Sequence, residues 1–149
     1  GLPVGDVVRM CFGIGSYRST RLTYPEMFRK LAGRGGLVAH LGTNDALEVE
    51  RRIADGDAHA QLIYEAMAYQ IAKEIAAMAA VLHGEVDAIV LTGGVAHSEM
   101  LTSWVLERVG WIAPILIYPG EDEMLALALG ALRVLRGEEA VRDYCPRAL

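Results

Sequence analysis

The sequence has few cysteines and no basic run, and each shortage excludes a class of protein. Its 2 cysteines, Cys11 and Cys145, form neither a Cys-x-x-Cys spacing nor a Cys/His cluster, which argues against a zinc site or a disulfide scaffold. The formal net charge is −5, so nothing indicates a nucleic acid or an anionic membrane as partner. We therefore expect reduced thiols in a cytoplasmic protein whose partners are small molecules or proteins.

Long apolar runs are also missing, although the composition is apolar. Hydrophobic residues make up 53% of the 149 residues and mean hydropathy is +0.28, yet no run approaches the roughly 18 residues that span a bilayer. The apolar excess must then lie inside the fold, or on a surface that another chain or lobe covers. We expect one domain over residues 1–149, without a membrane partner, that self-associates, most simply as a symmetric dimer.

Several signature motifs of enzymes are absent as well. The sequence contains no Walker A motif, no nucleophile elbow and no His-Glu-x-x-His. Its four histidines fall on separate predicted elements, and only His97 lies beside a glycine turn. An exposed position at a helix start is the simpler interpretation of His97. Trp104 and Trp111 have the spacing of core residues rather than of cofactor contacts.

The stretch around which the chain is organised is residues 87–99, Asp-Ala-Ile-Val-Leu-Thr-Gly-Gly-Val-Ala-His-Ser-Glu. A short β-branched run, a glycine pair and a capping serine, Ser98, predict a strand, a turn and a helix. Such a turn offers backbone N–H groups to an anion, or to the sugar and phosphates of a nucleotide. Many α/β crossovers also turn on Gly-Gly for packing alone, so this stretch by itself leaves both interpretations open.

Hydrophobic periodicity and capping signals place the other elements. Helices are predicted at 57–83, 98–109 and 124–135, the last with its leucines facing inward. A capping box at Thr23 and Glu26 opens an earlier helix, and Thr43 or Asn44 is the predicted cap of the next. Short apolar runs at 37–41 and 114–118 are predicted strands, the second one buried. Strands that alternate with helices and lack hairpin signals predict an α/β fold with some parallel pairing.

Three predicted strand-to-helix corners carry the candidate chemistry: Thr43-Asn44-Asp45, Thr92-Gly93-Gly94 and Pro119-Gly120-Glu121-Asp122-Glu123. Ligands of open α/β sheets collect outside the carboxyl ends of strands, so all three corners are expected to face one crevice. The acidic corner can hold Mg²⁺ through one carboxylate and waters. Acids in a first helical turn also complement the helix dipole, and the pattern alone does not separate the two roles.

Five separated blocks of the sequence resemble a known family. They are Gly-Leu-Pro-Val-Gly-Asp-Val-Val-Arg-Met-Cys at the start, Gly-Gly-Leu-Val-Ala-x-Leu-Gly-Thr-Asn-Asp, Tyr-Glu-Ala-Met-Ala-Tyr-Gln-Ile-Ala-Lys, Val-Asp-Ala-Ile-Val-Leu-Thr-Gly-Gly, and Ala-Pro-Ile-x-Ile-Tyr-Pro-Gly-Glu-Asp-Glu-Met. In this order they are similar to the C-terminal part of the butyrate kinases. That family belongs with acetate kinase in the acetokinase branch of the actin-like ATPase superfamily.

The resemblance implies a fold, an activity and partners. The fold is the C-terminal actin-like, ribonuclease H-like lobe of the acetate/sugar kinase, Hsp70 and actin type, with a mixed sheet and flanking helices. The activity is phosphoryl transfer between ATP and butanoate, giving butanoyl phosphate and ADP, with Mg²⁺ as cofactor. An N-terminal lobe would precede Gly1, so the chain alone is expected to be inactive. Relatives pair through their C-terminal domains, which again predicts a dimer.

The resemblance also assigns site residues. The predicted cofactor-binding residues are the adenosine motif and the corner that flanks the adenosine: Thr92, Gly93, Gly94, Val95, Asn44 and Asp45. Asp122 and Glu123 are the predicted Mg²⁺ pair, with Glu123 also catalytic. The sequence departs from the acetate kinase pattern at Leu47, Ala96 and Ser98. The resemblance therefore predicts the contacts to adenine less well than the glycine contact. Two other readings stay open: a non-catalytic actin-like association module, and an unrelated α/β fold that shares only the glycine corners.

Overall fold

The computed structural model describes residues 3–18 and 21–141, so Cys145 lies outside the described residues. Seven α-helices and two β-strands occur in that part of the chain. In chain order they are α1 (Val4–Phe12), α2 (Tyr24–Leu31), α3 (Gly36–Leu41), α4 (Ala46–Ala54), α5 (Ala58–Val81), β1 (Ile89–Gly93), α6 (Glu99–Val109), β2 (Ile115–Pro119) and α7 (Glu123–Leu135). Short 3₁₀ turns cover Gly15–Tyr17 and Gly94–His97.

The core is built on α5, which packs against α3, α4 and α6. Small side chains along its buried stripe let neighbouring helices approach closely: Ala60, Ala68 and Ala72. Tyr64 supplies the bulk of that stripe, fully buried and edge-on to Trp104 at 5.9 Å between ring centroids. Leu101, Val105 and Val109 of α6 close the core from the other side.

Local capping chemistry sets where most helices begin. The Asp57 carboxylate accepts from the Ala60 N–H at 2.9 Å, and the Ser98 hydroxyl accepts from the Leu101 N–H at 2.9 Å. These caps confirm the predicted starts of α5 and α6. The predicted capping box is present: the Thr23 N–H donates to the Glu26 carboxylate, and the Thr23 side chain accepts from the Glu26 N–H. The Thr23 hydroxyl also donates to the Glu26 carboxylate, and the two bonds to this carboxylate lower the pKa of Glu26.

The sheet in the described residues has two strands. β1 and β2 run parallel, in register from Ile89 opposite Ile115 to Gly93 opposite Pro119, with α6 as the crossover between them. The predicted parallel pairing is therefore confirmed. A single antiparallel bridge joins Gly93 to Gly120 beyond the strand ends. The prediction that residues 114–118 form a buried strand is half right, because β2 is formed but leaves most of its side chains exposed.

Two predictions about individual elements are wrong. Residues 37–41 form helix α3 rather than a strand, because Leu37 and Leu41, one helical turn apart, pack together against the core. Gly36 and Gly42, at its two ends, take left-handed φ values of 55° and 79°, which glycine allows at little cost. The predicted core position of Trp111 is also wrong, since its side chain is 79% exposed.

Helix α7 differs from the core helices because none of its residues is buried. Its leucines were predicted to face inward, yet Leu125, Leu129, Leu132 and Leu135 are all exposed in the described part of the chain. The helix itself is confirmed at its predicted position. None of the helices in the described ranges has the length and apolar character that a membrane crossing needs.

Candidate functional site

Two adjoining cavities lie at the carboxyl ends of β1 and β2. We call the first one the corner cavity; it has a volume of about 440 Å³ and lies between the start of α4 and the turn after β1. Its lining residues are Asn44, Asp45, Ala46, Leu47, Glu50, Gly94, Val95, His97, Ser98 and Glu121. The second, the acidic cavity, has about 490 Å³ and is lined by Thr92, Gly93, Tyr118, Pro119, Gly120, Glu121, Asp122, Glu123 and Ala126. Glu121 is common to both, so the three predicted corners meet along one edge of the sheet.

The glycine turn after β1 forms the boundary between the two cavities. Gly93 has φ 84° and ψ −177°, a conformation that requires glycine, and it exchanges two backbone hydrogen bonds of 3.2 Å with Gly120. Gly94 has no such φ, and a Cβ added there would meet nothing within 4 Å. The space beside the Gly94 backbone is therefore open, so a ligand can approach this backbone closely.

The Asn44 corner is held by side chains around it. Thr43 Oγ1 accepts from the Asp45 N–H at 3.1 Å, and the Asp45 carboxylate accepts from the Leu47 N–H at 2.9 Å. Asp45 is therefore the cap of α4, and the prediction that Thr43 or Asn44 fills that position is wrong. Arg52 donates to the Leu41 carbonyl at 3.0 Å while it pairs with Asp57 at 2.7 Å. These bonds tie the corner to the core helices.

A buried polar cluster supports the corner cavity from below. The Ser98 hydroxyl donates a short hydrogen bond to Glu50 Oε1, and the Tyr64 hydroxyl donates to the same oxygen at 3.1 Å. The Tyr64 and Ser98 oxygens lie 3.3 Å apart. Burial, together with the nearby Glu50 carboxylate, raises the pKa of Tyr64 to about 12, so its hydroxyl stays protonated at neutral pH. Three elements, α4, α5 and the start of α6, are joined through this one carboxylate oxygen.

The acidic corner is built differently. Asp122 occupies the cap position of α7 without a side-chain cap bond, and Glu123 is the first residue of the helix. Both are exposed, and no hydrogen bond or ion pair joins either carboxylate to another residue in the described ranges. Their free oxygens are ligands of the kind Mg²⁺ prefers. No group of three or more His, Cys, Asp or Glu side chains converges there or elsewhere in residues 3–18 and 21–141, so a cation would keep waters or substrate oxygens as further ligands.

The charge of the two cavities has one sign. Carboxylates line both of them, and no lysine or arginine of the described residues does so. A phosphate group that entered alone would meet net repulsion. A divalent cation, or basic groups from outside the described residues, must accompany it.

Glu50 is the site residue that the sequence reasoning missed. Its partners Tyr64 and Ser98 are 14 and 48 residues away, so no local motif contains the cluster. A signal did exist in the helical spacing of α4. Glu50 falls on the same stripe as Ala46, Val49 and Ile53, which all pack against the core, and a carboxylate within an inward stripe needs a buried partner.

Comparison with known proteins identifies the relatives of this chain. The profile of the acetokinase family matches residues 12–113. The fold is similar to the crystal structure of acetate kinase from Porphyromonas gingivalis, with a TM-score of 0.74 and 18% sequence identity. The similarity covers 91% of this chain and 39% of the acetate kinase chain. It confirms the predicted α/β fold, part of an actin-like lobe, and excludes an unrelated fold that merely shares glycine corners.

Proposed function

Since this chain belongs to the acetokinase family, we propose that it is the nucleotide-side lobe of a butyrate kinase-like enzyme of the cytoplasm. The complete enzyme transfers a phosphoryl group from ATP to butanoate, giving butanoyl phosphate and ADP. The supporting observation is that the Asn44 corner, the glycine turn and the acidic corner meet at the carboxyl edge of β1 and β2. Open α/β sheets bind nucleotides at such an edge.

In this proposal the two cavities divide the nucleotide between them. The sugar and base lie in the corner cavity against the bare backbone of Gly94 and beside Asn44, Asp45 and Val95. The phosphates point past Thr92 and Gly93 toward the acidic cavity. Asp122 and Glu123 hold Mg²⁺ there, directly or through water. When bound, the ion neutralises charge on the transferring group.

We further propose that this chain binds the nucleotide without turning it over. Phosphoryl transfer depends on positive charge around the phosphates, and no lysine or arginine of the described residues lines either cavity. The chain spans 39% of the acetate kinase chain that it matches, so the remaining groups have a place outside it. The short-chain acid is expected to contact that other part.

Titration with Mg²⁺–ATP tests the proposal. The amide resonances of Gly93 and Gly94 should shift on addition of millimolar nucleotide to the chain. The complete protein should then phosphorylate butyrate faster than acetate in a coupled assay. No perturbation at millimolar nucleotide would favour the competing class, a non-catalytic association module. Binding together with a preference for acetate would retain the nucleotide site and overturn the butyrate assignment.

The variant Gly94→Val addresses the glycine contact directly. An isopropyl group fits the folded chain, because a Cβ there meets nothing within 4 Å, but it occupies the space of the ligand. We expect nucleotide affinity to fall by about tenfold or more, which corresponds to about 1.4 kcal/mol, with little change in melting temperature. Gly5→Val is the control, since a Cβ at Gly5 also meets open space and Gly5 lines neither cavity. Unchanged affinity in Gly94→Val would remove Gly94 from the site.

We also propose that the exposed apolar surface of β2 and α7 mediates a symmetric dimer. Leu116, Ile117, Leu125, Leu127 and Leu129 are all exposed in the described structure. A single self-complementary patch suffices for a twofold pair. Sedimentation at several concentrations should show a dimer that Leu127→Glu dissociates and Leu62→Glu does not, the two leucines being 70% and 62% exposed. A wild-type chain that stays strictly monomeric at about tens of micromolar would have a dimer dissociation constant above that concentration. This result would overturn the dimer.

A further inference from the structure

Asp45 and Glu50 both line the corner cavity with one bonded and one open carboxylate oxygen, and Glu50 is the one of the two whose bonded oxygen is held by two side-chain hydroxyls. Oε1 accepts hydrogen bonds from Ser98 and Tyr64, so the plane of the carboxylate is fixed. No hydrogen bond joins Oε2 to another described residue, and no side-chain oxygen or nitrogen in the described ranges is both buried and unpartnered. Oε2 is therefore an open acceptor on a residue that lines the cavity.

The supports of Oε1 are rigid. Tyr64 is fully buried and Ser98 is 7% exposed, and Ser98 is itself fixed by the Leu101 N–H. Their hydroxyls are oriented before any ligand arrives, so the ordering cost of Glu50 has already been met in the fold. A preorganised, charged acceptor gives a stronger hydrogen bond than a mobile one.

The neighbours of Glu50 restrict what its open oxygen can bind. Glu121 lines the same cavity and no lysine or arginine of the described chain does, so a phosphate would not settle beside Glu50. On the edge of adenine the amino donor lies beside ring-nitrogen acceptors, which the carboxylate would repel. Each hydroxyl of a vicinal diol can rotate to donate its O–H to the carboxylate. The carboxylate therefore fits the sugar of a nucleotide better than its base or its phosphates.

We infer that Glu50 recognises the ribose hydroxyls of the nucleotide and makes this site selective for ribonucleotides over deoxyribonucleotides. The inference rests on the proposed function, because it takes a nucleotide to be the occupant of the corner cavity. In it, Glu50 Oε2 accepts a hydrogen bond from a 2′- or 3′-hydroxyl. Ser98 and Tyr64 are positioning residues that act through Oε1.

The wild-type protein provides the first test without any substitution. Dissociation constants of the Mg²⁺ complexes of ATP, 2′-deoxyATP, 3′-deoxyATP and purine riboside triphosphate should be measured by calorimetry on the complete protein. We expect one of the two deoxy forms to bind about tenfold or more weakly than ATP. Purine riboside triphosphate, which lacks the amino group of the base, should keep the affinity that Glu50 provides. Equal binding of ATP and both deoxy forms would overturn the inference and leave the proposed function in place.

Substitution then assigns the selectivity to Glu50. In Glu50→Gln, which keeps the shape of the side chain, the preference for ATP over the deoxy form should shrink to about threefold, since the acceptor is no longer charged. Tyr64→Phe should lower the preference in part, because Oε1 loses one of its two donors. Glu48→Gln is the matched control, an exposed carboxylate on α4 that does not line the cavity, and it should leave the preference unchanged.

The outcomes separate the two hypotheses. A preference that is retained in full in a folded Glu50→Gln protein would assign the recognition to another residue and overturn the inference. Loss of ATP and deoxy-ATP binding to the same extent would show that Glu50 only supports the fold of the corner, and would also overturn it. Failure of the wild-type protein to bind any of the four nucleotides would overturn the proposed function itself.

Discussion

The corner cavity and the acidic cavity share a wall but rest on different supports. The corner cavity stands on α4, α5 and α6, whose contact residues include the fully buried Val49, Tyr64 and Val105. The acidic cavity is formed by the end of β2 and the start of α7, a helix without a single buried residue. The corner cavity thus rests on buried residues, whereas the acidic cavity borders a helix whose surface remains uncovered in the described structure.

The difference agrees with our proposal that the two cavities hold different parts of one ligand. A preorganised cavity suits a part of the ligand that stays the same through the reaction, such as the sugar and base of a nucleotide. In the proposed site, an acidic corner with few buried supports suits a cation and phosphates, whose charge must be matched by groups outside the described residues. Three predictions follow the contrast from its strongest consequence to its weakest.

Truncation of one large side chain in each region should have very different effects on stability. Tyr64→Ala removes a fully buried ring and two hydrogen bonds, and we expect the free energy of unfolding to fall by about 3–5 kcal/mol. Leu125→Ala on the exposed face of α7 should lower it by less than about 1 kcal/mol. Urea denaturation of the two variants measures both values. Similar losses would show that α7 is as well packed as the core, and the contrast would fail.

Removal of one charge at the acidic corner should separate function from stability. In the complete enzyme, Glu123→Gln should lower turnover by about a hundredfold, since a carboxylate that organises Mg²⁺ can be worth several kcal/mol in the transition state. Its effect on folding should be only about 0.3–1 kcal/mol, the usual value of an acid in a first helical turn.

Glu99→Gln is the control for that experiment. Glu99 is the first residue of α6 just as Glu123 is the first residue of α7, but it lines neither cavity. Both variants should lose the same small amount of stability, and only Glu123→Gln should lose turnover. Near-normal turnover of Glu123→Gln at saturating Mg²⁺ would leave Glu123 as a helix-dipole residue alone.

The sequence predicts those parts of the fold whose signals are local. The strand, the glycine pair and the Ser98 cap lie within 13 residues, so β1, the turn and α6 follow from neighbouring residues alone. The start of α5 and the capping box at Thr23 are found for the same reason. By contrast, a five-residue apolar run such as 37–41 contains too few positions to show a helical or a strand period, and only contact with α5 decides it.

The rest depends on contacts between distant positions. The Glu50 cluster joins residues up to 48 positions apart, so it is apparent only when α4 and α6 are placed side by side. The apolar stripe of α7 predicts an inward face, and this prediction is wrong for the described structure, because an apolar pattern does not say which part of the molecule, if any, covers it. The convergence of the two strand-end corners follows from topology, because strands that run parallel end on the same side. The Asn44 corner follows helix α3 instead, and the packing of α3 and α4 against α5 brings it there.

The smallest expected effect is a loss of stability in acid at Asp57, which pairs with Arg52 beside the corner cavity. The Ala60 N–H and Arg52 lower the pKa of Asp57 below its ordinary value of 3.8, so its charge stabilises the folded state above that pH and the contribution is lost as pH falls below it. Asn also caps helices well, so Asp57→Asn removes the charge but keeps the cap. The melting temperature of Asp57→Asn should lie slightly below that of the wild type at pH 7, and the gap should narrow as the pH falls below 3.8 and close once the pH lies below the lowered pKa. Asp55→Asn, in which the lost carboxylate caps no described helix, should show no gap at either pH. A difference in melting temperature that persists unchanged in acid would mean that the ion pair between Arg52 and Asp57 does not help to hold the Asn44 corner. Apolar packing alone would then support the corner cavity.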